Sequence, residues 1–584
     1  MAKIFRISLI ISLIWLANSE LLAAETFIGG HYWVVFTNKA NSPYSVDRPH
    51  EFLSARAIER RLKQGIPVTD VDLPPTPAYI DSLRVDTEAK LWYQSRWFNG
   101  ALVFTNVESS LQRIIDLPFV ASVELVKPLP EPTLEHDDDF EVPVNKKVLE
   151  QGVQQIKVYD FFENILNKRI LSAWESLYLG QDFGFSAPTI EQVNGQGLIS
   201  QGYLGQGMTI VVLDAGFLAA NQMAAFGHLW NNGLIKGTRD FVDLQQNIFG
   251  SSFHGSAVLS VMAAKRPGEL FGTATEASYW LVRTEDAATE YRIEEYNWLV
   301  GAELADSLGA DVINSSLGYT RFDDPIQNYT YSQLDGQTTV VARAANLAFE
   351  RGILVVNSAG NYALQPWRYI GSPADSFGAL SIGAVEISGD RATFSSFGPS
   401  ADGRIKPDVM AHGRQVPVAN TAGGISLANG TSFSSPVIAG LAAALWQKHP
   451  LATAANIKKA IIESGNRFLF PDTVFGHGIP DFSWASRLLK YNFQPEKHLV
   501  LFPNPIKPDS FVSFFSEKEQ NVKIEIFDIR GQTVFVKDSI QVLRGYNRLQ
   551  PFGNFLQFDN NIYFLRLIML ETGEHSVTKF IKAW

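Results

Sequence analysis

The sequence predicts an α/β protein: a parallel sheet covered by helices on both faces, with a small α+β unit before it and a small antiparallel β unit after it. Three observations carry this reading. Between about Gly202 and Leu489, apolar β-branched runs end in small polar turns and alternate with helical stretches; they are MTIVVLDAG (Met208 to Gly216), ADVINSSLG (Ala310 to Gly318), GILVVNSAGN (Gly352 to Asn361) and ALSIGAV (Ala379 to Val385). Strands that are apolar on both faces belong to buried parallel sheets. Ahead of them, a block of about 100 residues reads β-α-β-β-α-β, the split ferredoxin-like order. Behind them, from about Leu499, short alternating strands are separated by turns such as Ile529-Arg530-Gly531.

Length and composition agree. The chain has 584 residues, enough for roughly three or four domains, and its 46% hydrophobic and 19% charged content is that of a globular protein. The net charge of -11 argues against a nucleic-acid binder, which shows a basic patch or stripe, so no nucleic-acid partner is expected. There is no cysteine, which excludes disulfides, a thiolate nucleophile and cysteine metal sites.

Each element follows from its residues. Lys3 and Arg6, the apolar run Ile7 to Ala17 and small residues at Ala23 and Ala24 make residues 1–24 a signal peptide; the run is short for a membrane span of about 20 residues. The unit at 25–127 has a strand at Tyr32 to Thr37. An amphipathic helix follows at Pro49 to Gln64, with Phe52, Leu53, Ala57 and Ile58 on one side. Two strands lie around Phe98-Asn99-Gly100, then a helix at Ser109 to Leu117 and a strand at Ala121 to Val126. Residues 128–185 form a linker and activation region. Its start, PLPEPTLEHDDDFEVP, is rich in proline and acid, and Val148 to Tyr178 has helical character without an assigned role. The α/β domain spans 186–490 and the β unit 499–584.

Functional groups of open α/β sheets gather at the C-terminal ends of the strands, and Asp214, Ser316 and Asn361 all fall there. Taken singly, each candidate has an ordinary reading. Asp214 is a turn aspartate; His254, in FHGSAVLSVMAA, is a histidine before a helix; Ser432, in NGTSFSSPVIAGLAAALW, is one of four hydroxyls ahead of an apolar helix at Val437 to Trp446. His412-Gly413 and His477-Gly478 lack a following apolar helix. Taken together they form a chemical set. A serine needs a base to take its proton and a carboxylate to orient that base, and the chain order Asp, His, Ser is one of the known triad orders. The G-x-S-x-G elbow of another hydrolase class is missing, which disfavours an esterase of that fold.

LDAGF, HGSAVLSVMAA, SAGN and NGTSFSSPVIAG resemble, in order and spacing over about 230 residues, the four main motifs of the subtilisin-like serine proteases. The resemblance implies a three-layer α/β/α fold and endopeptidase activity on protein or peptide substrates. By motif position it makes Asp214 the orienting carboxylate, His254 the general base and acid, Ser432 the nucleophile and Asn361 the oxyanion-hole side chain. It makes Ser316, Leu317 and Gly318, with Ser358, Ala359 and Gly360, the segments that bind substrate. No metal and no cofactor is required for the chemistry; the family's use of structural calcium leaves such an ion open. Departures are Ala215 after the aspartate, HGS for HGT, and Phe433-Ser434-Ser435 after the serine. The neighbouring hydroxyls are expected to cap the helix. The alternative is a surface adhesin on a protease scaffold.

The same resemblance turns residues 25–127 into a propeptide, an intramolecular inhibitor released by a cut in the linker. In the tail, FPNP, IEIFD, NIYFLRL and a terminal KFIK are similar to the type A sorting domain of the type IX secretion system of Bacteroidetes. That implies the type IX machinery as a partner and an extracellular or cell-surface location, reached through the periplasm and outer membrane. A β unit that stabilises the enzyme or binds carbohydrate is the alternative.

Overall fold

The computed structural model describes residues 27–129, 153–154 and 182–493, and, of the tail, 499–502, 504–507, 510–516, 518–543, 545–550 and 559–582. The stretch 1–24, expected as a signal peptide, lies outside the described residues. So do the linker beyond Leu129 and the helical stretch Val148 to Tyr178, save Val153–Gln154, a short strand on the edge of Ile425–Ala428.

The central domain is a sheet of seven strands, all paired in parallel. Their order is Val409–His412, Ala379–Val385, Leu354–Ser358, Val312–Ser315, Thr209–Asp214, Ser278–Arg283 and Ile235–Asp240. Four of these were expected; Ile235–Asp240, which is interrupted by charge, Val409–His412, which is short, and Ser278–Arg283 were not. The Thr209–Asp214 strand is buried at every position. Its alternate residues serve two cores: Ile210 and Val212 pack with the helices His254–Ala263 and Thr431–Lys448, and Val211 and Leu213 with Ile293–Leu308 and Val340–Glu350. That makes three layers. The winding direction reverses between Thr209–Asp214 and Val312–Ser315, which creates a topological switch point with Asp214 on one side and Ser316 on the other.

The front domain is a four-stranded antiparallel sheet, ordered Ala89–Ser95, Gly100–Thr105, Gly30–Phe36 and Val120–Pro128. It differs from expectation in two ways. An additional helix, Pro77–Val85, covers one sheet face through Ile80 and Leu83, together with Ile114 of Glu108–Ile115. The segment expected as one helix from Pro49 is a 3₁₀ turn, Pro49–Glu51, and then a helix, Ala55–Gln64, capped by the Ser54 side chain. That helix buries Ala57, Arg60 and Arg61 while Leu62 is 75% exposed, so its inner face is cationic rather than apolar.

The reason is its partner. The sheet's other face, with Trp33, Tyr93, Trp97, Leu102 and Val126, packs on the central-domain helix Ile293–Leu308, and Trp33 stacks on Tyr296 at 4.3 Å. On that helix the carboxylate of Asp306 accepts from Arg60 at 2.6 Å, Arg61 at 2.8 Å and Arg96 at 3.2 Å. Glu303 accepts from the N–H groups of Arg96 and Trp97 at 2.8 and 3.2 Å. Across the interface Arg351 donates to Asp72 at 2.6 Å. Burial alone raises the pKa of Asp306, but the three guanidiniums outweigh it and hold the carboxyl below its ordinary range.

The tail forms two antiparallel sheets, one of Val500–Phe502, Phe511–Ser516 and Gly545–Leu549, the other of Gln520–Phe527, Thr533–Val542, Asn561–Met569 and His575–Lys582. The turn before Gly531 is held by Asp528, whose Oδ1 accepts from the N–H groups of Arg530 and Gln532 at 2.9 Å. Phe511 packs edge-on against Trp484 of the central domain at 4.8 Å, and Arg548 donates to the Glu463 carbonyl at 2.8 Å.

Two predictions follow from the front domain. Asp306→Ala leaves the buried Arg60 without a carboxylate and takes one partner from Arg61 and Arg96, which keep Asp72 and Glu303; breaking a buried pair costs about 3–5 kcal/mol. The full-length Ser432→Ala chain carrying it is expected to show an earlier first urea transition; an unchanged midpoint would make the cluster energetically neutral. His31 packs against Trp92 and Phe104, and burial first, then Lys127 and Lys90, push its pKa down to about 4. It folds as the neutral ring, so its contribution is full above an unfolded value of about 6.5 and declines as pH falls toward 4. Melting temperatures between pH 7 and 4 should fall more steeply for wild type than for His31→Phe.

Candidate active site

At the switch point, Asp214 ends its strand with no exposed surface. Its Oδ1 accepts from the Ala215 N–H and from His254 Nδ1, each at 2.8 Å. A buried carboxylate is costly unless paired; these donors engage Oδ1, while Oδ2 has no hydrogen-bond partner among the described residues. The bond also settles the tautomer of the neutral ring: Nδ1 carries the proton and Nε2 keeps its lone pair. Among the described residues Nε2 has no hydrogen-bond partner. His254 opens the helix His254–Ala263, which reaches the strand end because the next residue is Gly255. A Cβ at Gly255 would stand 2.3 Å from the Gly216 carbonyl oxygen and 3.0 Å from Asp214 Cβ.

Ser432 is the second residue of the helix Thr431–Lys448 and is 2% exposed. The helix starts earlier than its apolar run implies and passes through Pro436. Proline has no N–H for the carbonyl four residues back, here that of Ser432. Ser316 supplies the missing donor: its Oγ donates to the Ser432 carbonyl at 2.9 Å. Asn314 donates to Ser316 Oγ at 3.3 Å and accepts from Ser435 Oγ at 3.1 Å. The Ser432 hydroxyl itself donates to the Ser316 carbonyl at 3.3 Å and makes no hydrogen bond to His254 Nε2.

Asn361 lies just beyond the strand Leu354–Ser358. Its Oδ1 accepts from the Thr431 N–H at 2.9 Å and the Thr431 hydroxyl at 3.0 Å. Its NH₂ group is thereby presented on the side of Gly430 and the Ser432 turn. The expected helix capping by neighbouring hydroxyls does not occur. The cap position is Gly430 with no side-chain cap, and the oxygen of Asn361 satisfies the Thr431 N–H instead. Thr431 Oγ1 also accepts from the Gly360 N–H at 3.1 Å, and Ser434 donates back to the Thr431 carbonyl at 3.0 Å.

The structure brings the remaining predicted residues alongside. Ser316-Leu317-Gly318 and Ser358-Ala359-Gly360 leave adjacent parallel strands and form two facing walls, joined where Asn357 and Ser358 donate to the Leu317 carbonyl at 3.1 and 3.4 Å. His412, by contrast, is buried on Thr189 at 2.8 Å, and burial pushes it down to about 4, a neutral core histidine. The carboxylates of Glu285, Glu290 and Glu294 come within 4.8 Å of one another. Glu285 is bound by the Tyr319 hydroxyl and Glu294 accepts from the Asp286 N–H at 2.9 Å, so protein donors already engage two of the three.

The Subtilase family matches residues 205–478. The chain is 30% identical over 313 residues to Subtilisin NAT of Bacillus subtilis subsp. natto and to Subtilisin E of Bacillus subtilis (strain 168), covering 52% of this chain and 72% of each relative. This chain belongs to the subtilase family. Subtilisin of Bacillus pumilus is 29% identical over 297 residues, 50% of this chain and 94% of that one. The subtilase is thus a serine endopeptidase. Residues 31–139 match the peptidase S8 propeptide domain of Bacteroidota, and residues 500–583 match a secretion system C-terminal sorting domain. The chain is therefore a zymogen whose tail directs it to the extracellular space or cell surface.

Sequence reasoning missed Thr431, Asn314 and Ser435 as positioning residues. Only the proline four residues after Ser432 signalled that its carbonyl would need an outside donor. Thr431→Val removes one of two bonds to Asn361 Oδ1 and should lower kcat about tenfold with KM little changed, the scale of one buried hydrogen bond. Steady-state kinetics on one peptide substrate check the split; a pure KM effect would contradict this role.

Proposed function

We propose that this subtilase is a secreted endopeptidase that hydrolyses peptide bonds through an acyl-enzyme on Ser432. The observation that carries the reading is the 2.8 Å bond from His254 Nδ1 to buried Asp214, set at the switch point beside the first turn that bears Ser432. Rotation of the Ser432 side chain away from the Ser316 carbonyl brings its hydroxyl to His254 Nε2; catalytic hydrogen bonds often tighten only with substrate present. His254 then takes the hydroxyl proton as Ser432 Oγ attacks the scissile carbonyl, and Asp214 stabilises the imidazolium while staying ionised. The oxyanion receives the Asn361 NH₂ group and the Ser432 N–H, a first-turn donor without an intrahelical acceptor. His254 passes its proton to the leaving amine, and water cleaves the acyl-enzyme by the same base. The chain's own side chains suffice, with no cofactor.

The substrate backbone lies along Ser316-Leu317-Gly318 as an added strand, facing Ser358-Ala359-Gly360. The front domain acts as the inhibitor of this cleft. Its last strand ends beside it: Lys127 donates to Asp286 at 3.0 Å and Thr289 at 3.1 Å, in the loop after Thr284, whose N–H bonds to the Asp214 carbonyl. A cut in the linker frees the enzyme, and the type IX machinery carries it through the periplasm and across the outer membrane.

Mass spectrometry of the secreted protein with a fluorophosphonate probe should show one adduct on a processed fragment, absent from Ser432→Ala. An adduct on the mutant would overturn the assignment of the nucleophile. Asn361→Ala should lose roughly 10²–10³ in kcat, a magnitude that comes from subtilisin itself.

A further inference from the structure

Behind the two substrate-binding walls stands a residue that the sequence motifs do not include. Tyr362 follows Asn361 directly and is 6% exposed. Its ring lies against three glycines. A Cβ built on Gly360 would stand 2.7 Å from Tyr362 Cε2, one on Gly371 3.1 Å from the same atom, and one on Gly318 3.5 Å from the hydroxyl oxygen. Gly318 and Gly360 belong to the facing walls, so the ring occupies the space that their missing side chains leave open. The hydroxyl donates across the slot to the Gly318 carbonyl at 2.9 Å, and the Tyr362 N–H donates to Ser396 Oγ at 2.9 Å. Both ends of the residue are held.

The surrounding backbone leaves the ring little room to retreat. Tyr319 and Ser372 exchange N–H···O bonds of 2.8 and 3.2 Å, and the Gly371 N–H donates to the Ala359 carbonyl at 3.1 Å. The segment with Gly371 is therefore tied to both walls and closes the slot behind the ring. Burial, reinforced by Glu290, raises the phenol above its ordinary pKa, so the hydroxyl remains a donor throughout the working pH range.

We infer that Tyr362 is a specificity-determining residue: its ring forms the floor of the slot between the Gly318 and Gly360 walls, and limits the residue on the acyl side of the cut bond to a small side chain such as Ala. The inference rests on the acyl-enzyme reading above. An acyl group on Ser432, with its oxygen at Asn361, hangs its side chain between the walls leaving Ser315 and Ser358. An alanine methyl needs only the mouth of that slot, whereas a phenylalanine ring needs the volume Tyr362 fills. Even one methylene in a fitted pocket changes kcat/KM by about 10–200-fold, so a whole ring is discriminated at least at the lower end of that range.

The test compares two peptides differing only at that position, Ala or Phe, with the enzyme as secreted and its Tyr362→Gly and Tyr362→Phe variants. Wild type is expected to favour Ala at least tenfold in kcat/KM. Tyr362→Gly should raise the Phe-to-Ala ratio of kcat/KM at least tenfold. Tyr362→Phe keeps the ring and should keep the preference within threefold. A wild type that cleaves the Phe peptide as well as the Ala peptide overturns the inference without needing any variant, and would mean the ring swings away. A Tyr362→Gly enzyme that keeps fluorophosphonate labelling but shows no rise in the Phe-to-Ala ratio overturns it too. If Tyr362→Gly does not fold, the wild-type ratio decides. Cleavage of neither peptide with no fluorophosphonate adduct is a different result: it refutes the acyl-enzyme reading itself, and the inference with it.

Discussion

A carboxylate with no exposed surface, at the end of a strand buried on both faces, is the constraint around which this molecule is arranged. Asp214 is tolerated there because the Ala215 N–H and the His254 imidazole share its Oδ1. The bond has geometric consequences. The helix that begins at His254 must approach the strand end closely, which requires Gly255. The strand must be central, so that helices cover both faces and exclude water. The winding must reverse beside it, so that a second strand delivers Ser316 to the same edge. One hydrogen bond thus ties a strand, a helix and a topology.

A second dependence runs through Pro436. By withholding an N–H from the Ser432 carbonyl, the proline transfers that carbonyl to Ser316 on another strand. The first turn of the helix is then held by the sheet as well as by itself. Asn361 and Thr431 add a further tie, with the asparagine oxygen engaged so that its NH₂ group is oriented. These bonds are buried and mutually connected, and buried polar networks specify geometry only when their members are satisfied.

The helix Ile293–Leu308 links two functions on opposite sides. Toward the sheet it packs on Leu213, directly beneath Asp214; toward the front domain it presents Tyr296, Glu303 and Asp306. The propeptide is therefore seated on an element that also supports the site. Its cationic helix Ala55–Gln64 pairs Arg61 with Asp72 inside the front domain and with Asp306 across the interface, where Asp306 also receives Arg60.

What the sequence determined by itself was the kind of chemistry and the style of each domain. Short β-branched runs bounded by small polar turns read as strands covered on both faces, and a histidine or serine at the mouth of an apolar helix, with small neighbours, is visible as a local pattern. The same local reading failed for Ala55–Gln64, where apolar periodicity pointed to Leu53 and Ile58 but the partner surface is acidic and selects arginine. It missed the charged strand Ile235–Asp240 and the strand Ser278–Arg283, whose place is set by pairing. Only the tertiary structure decided that Thr431 serves Asn361 rather than its own helix, that Ser316 completes the Pro436 turn, and that Tyr362 lies between two glycine walls. Each is a contact between residues separated by tens of positions or more, or a side-chain direction within a packed slot. A hydrogen-bond donor's partner is chosen by what the fold brings within 3 Å or so, and neighbours along the chain do not carry that information.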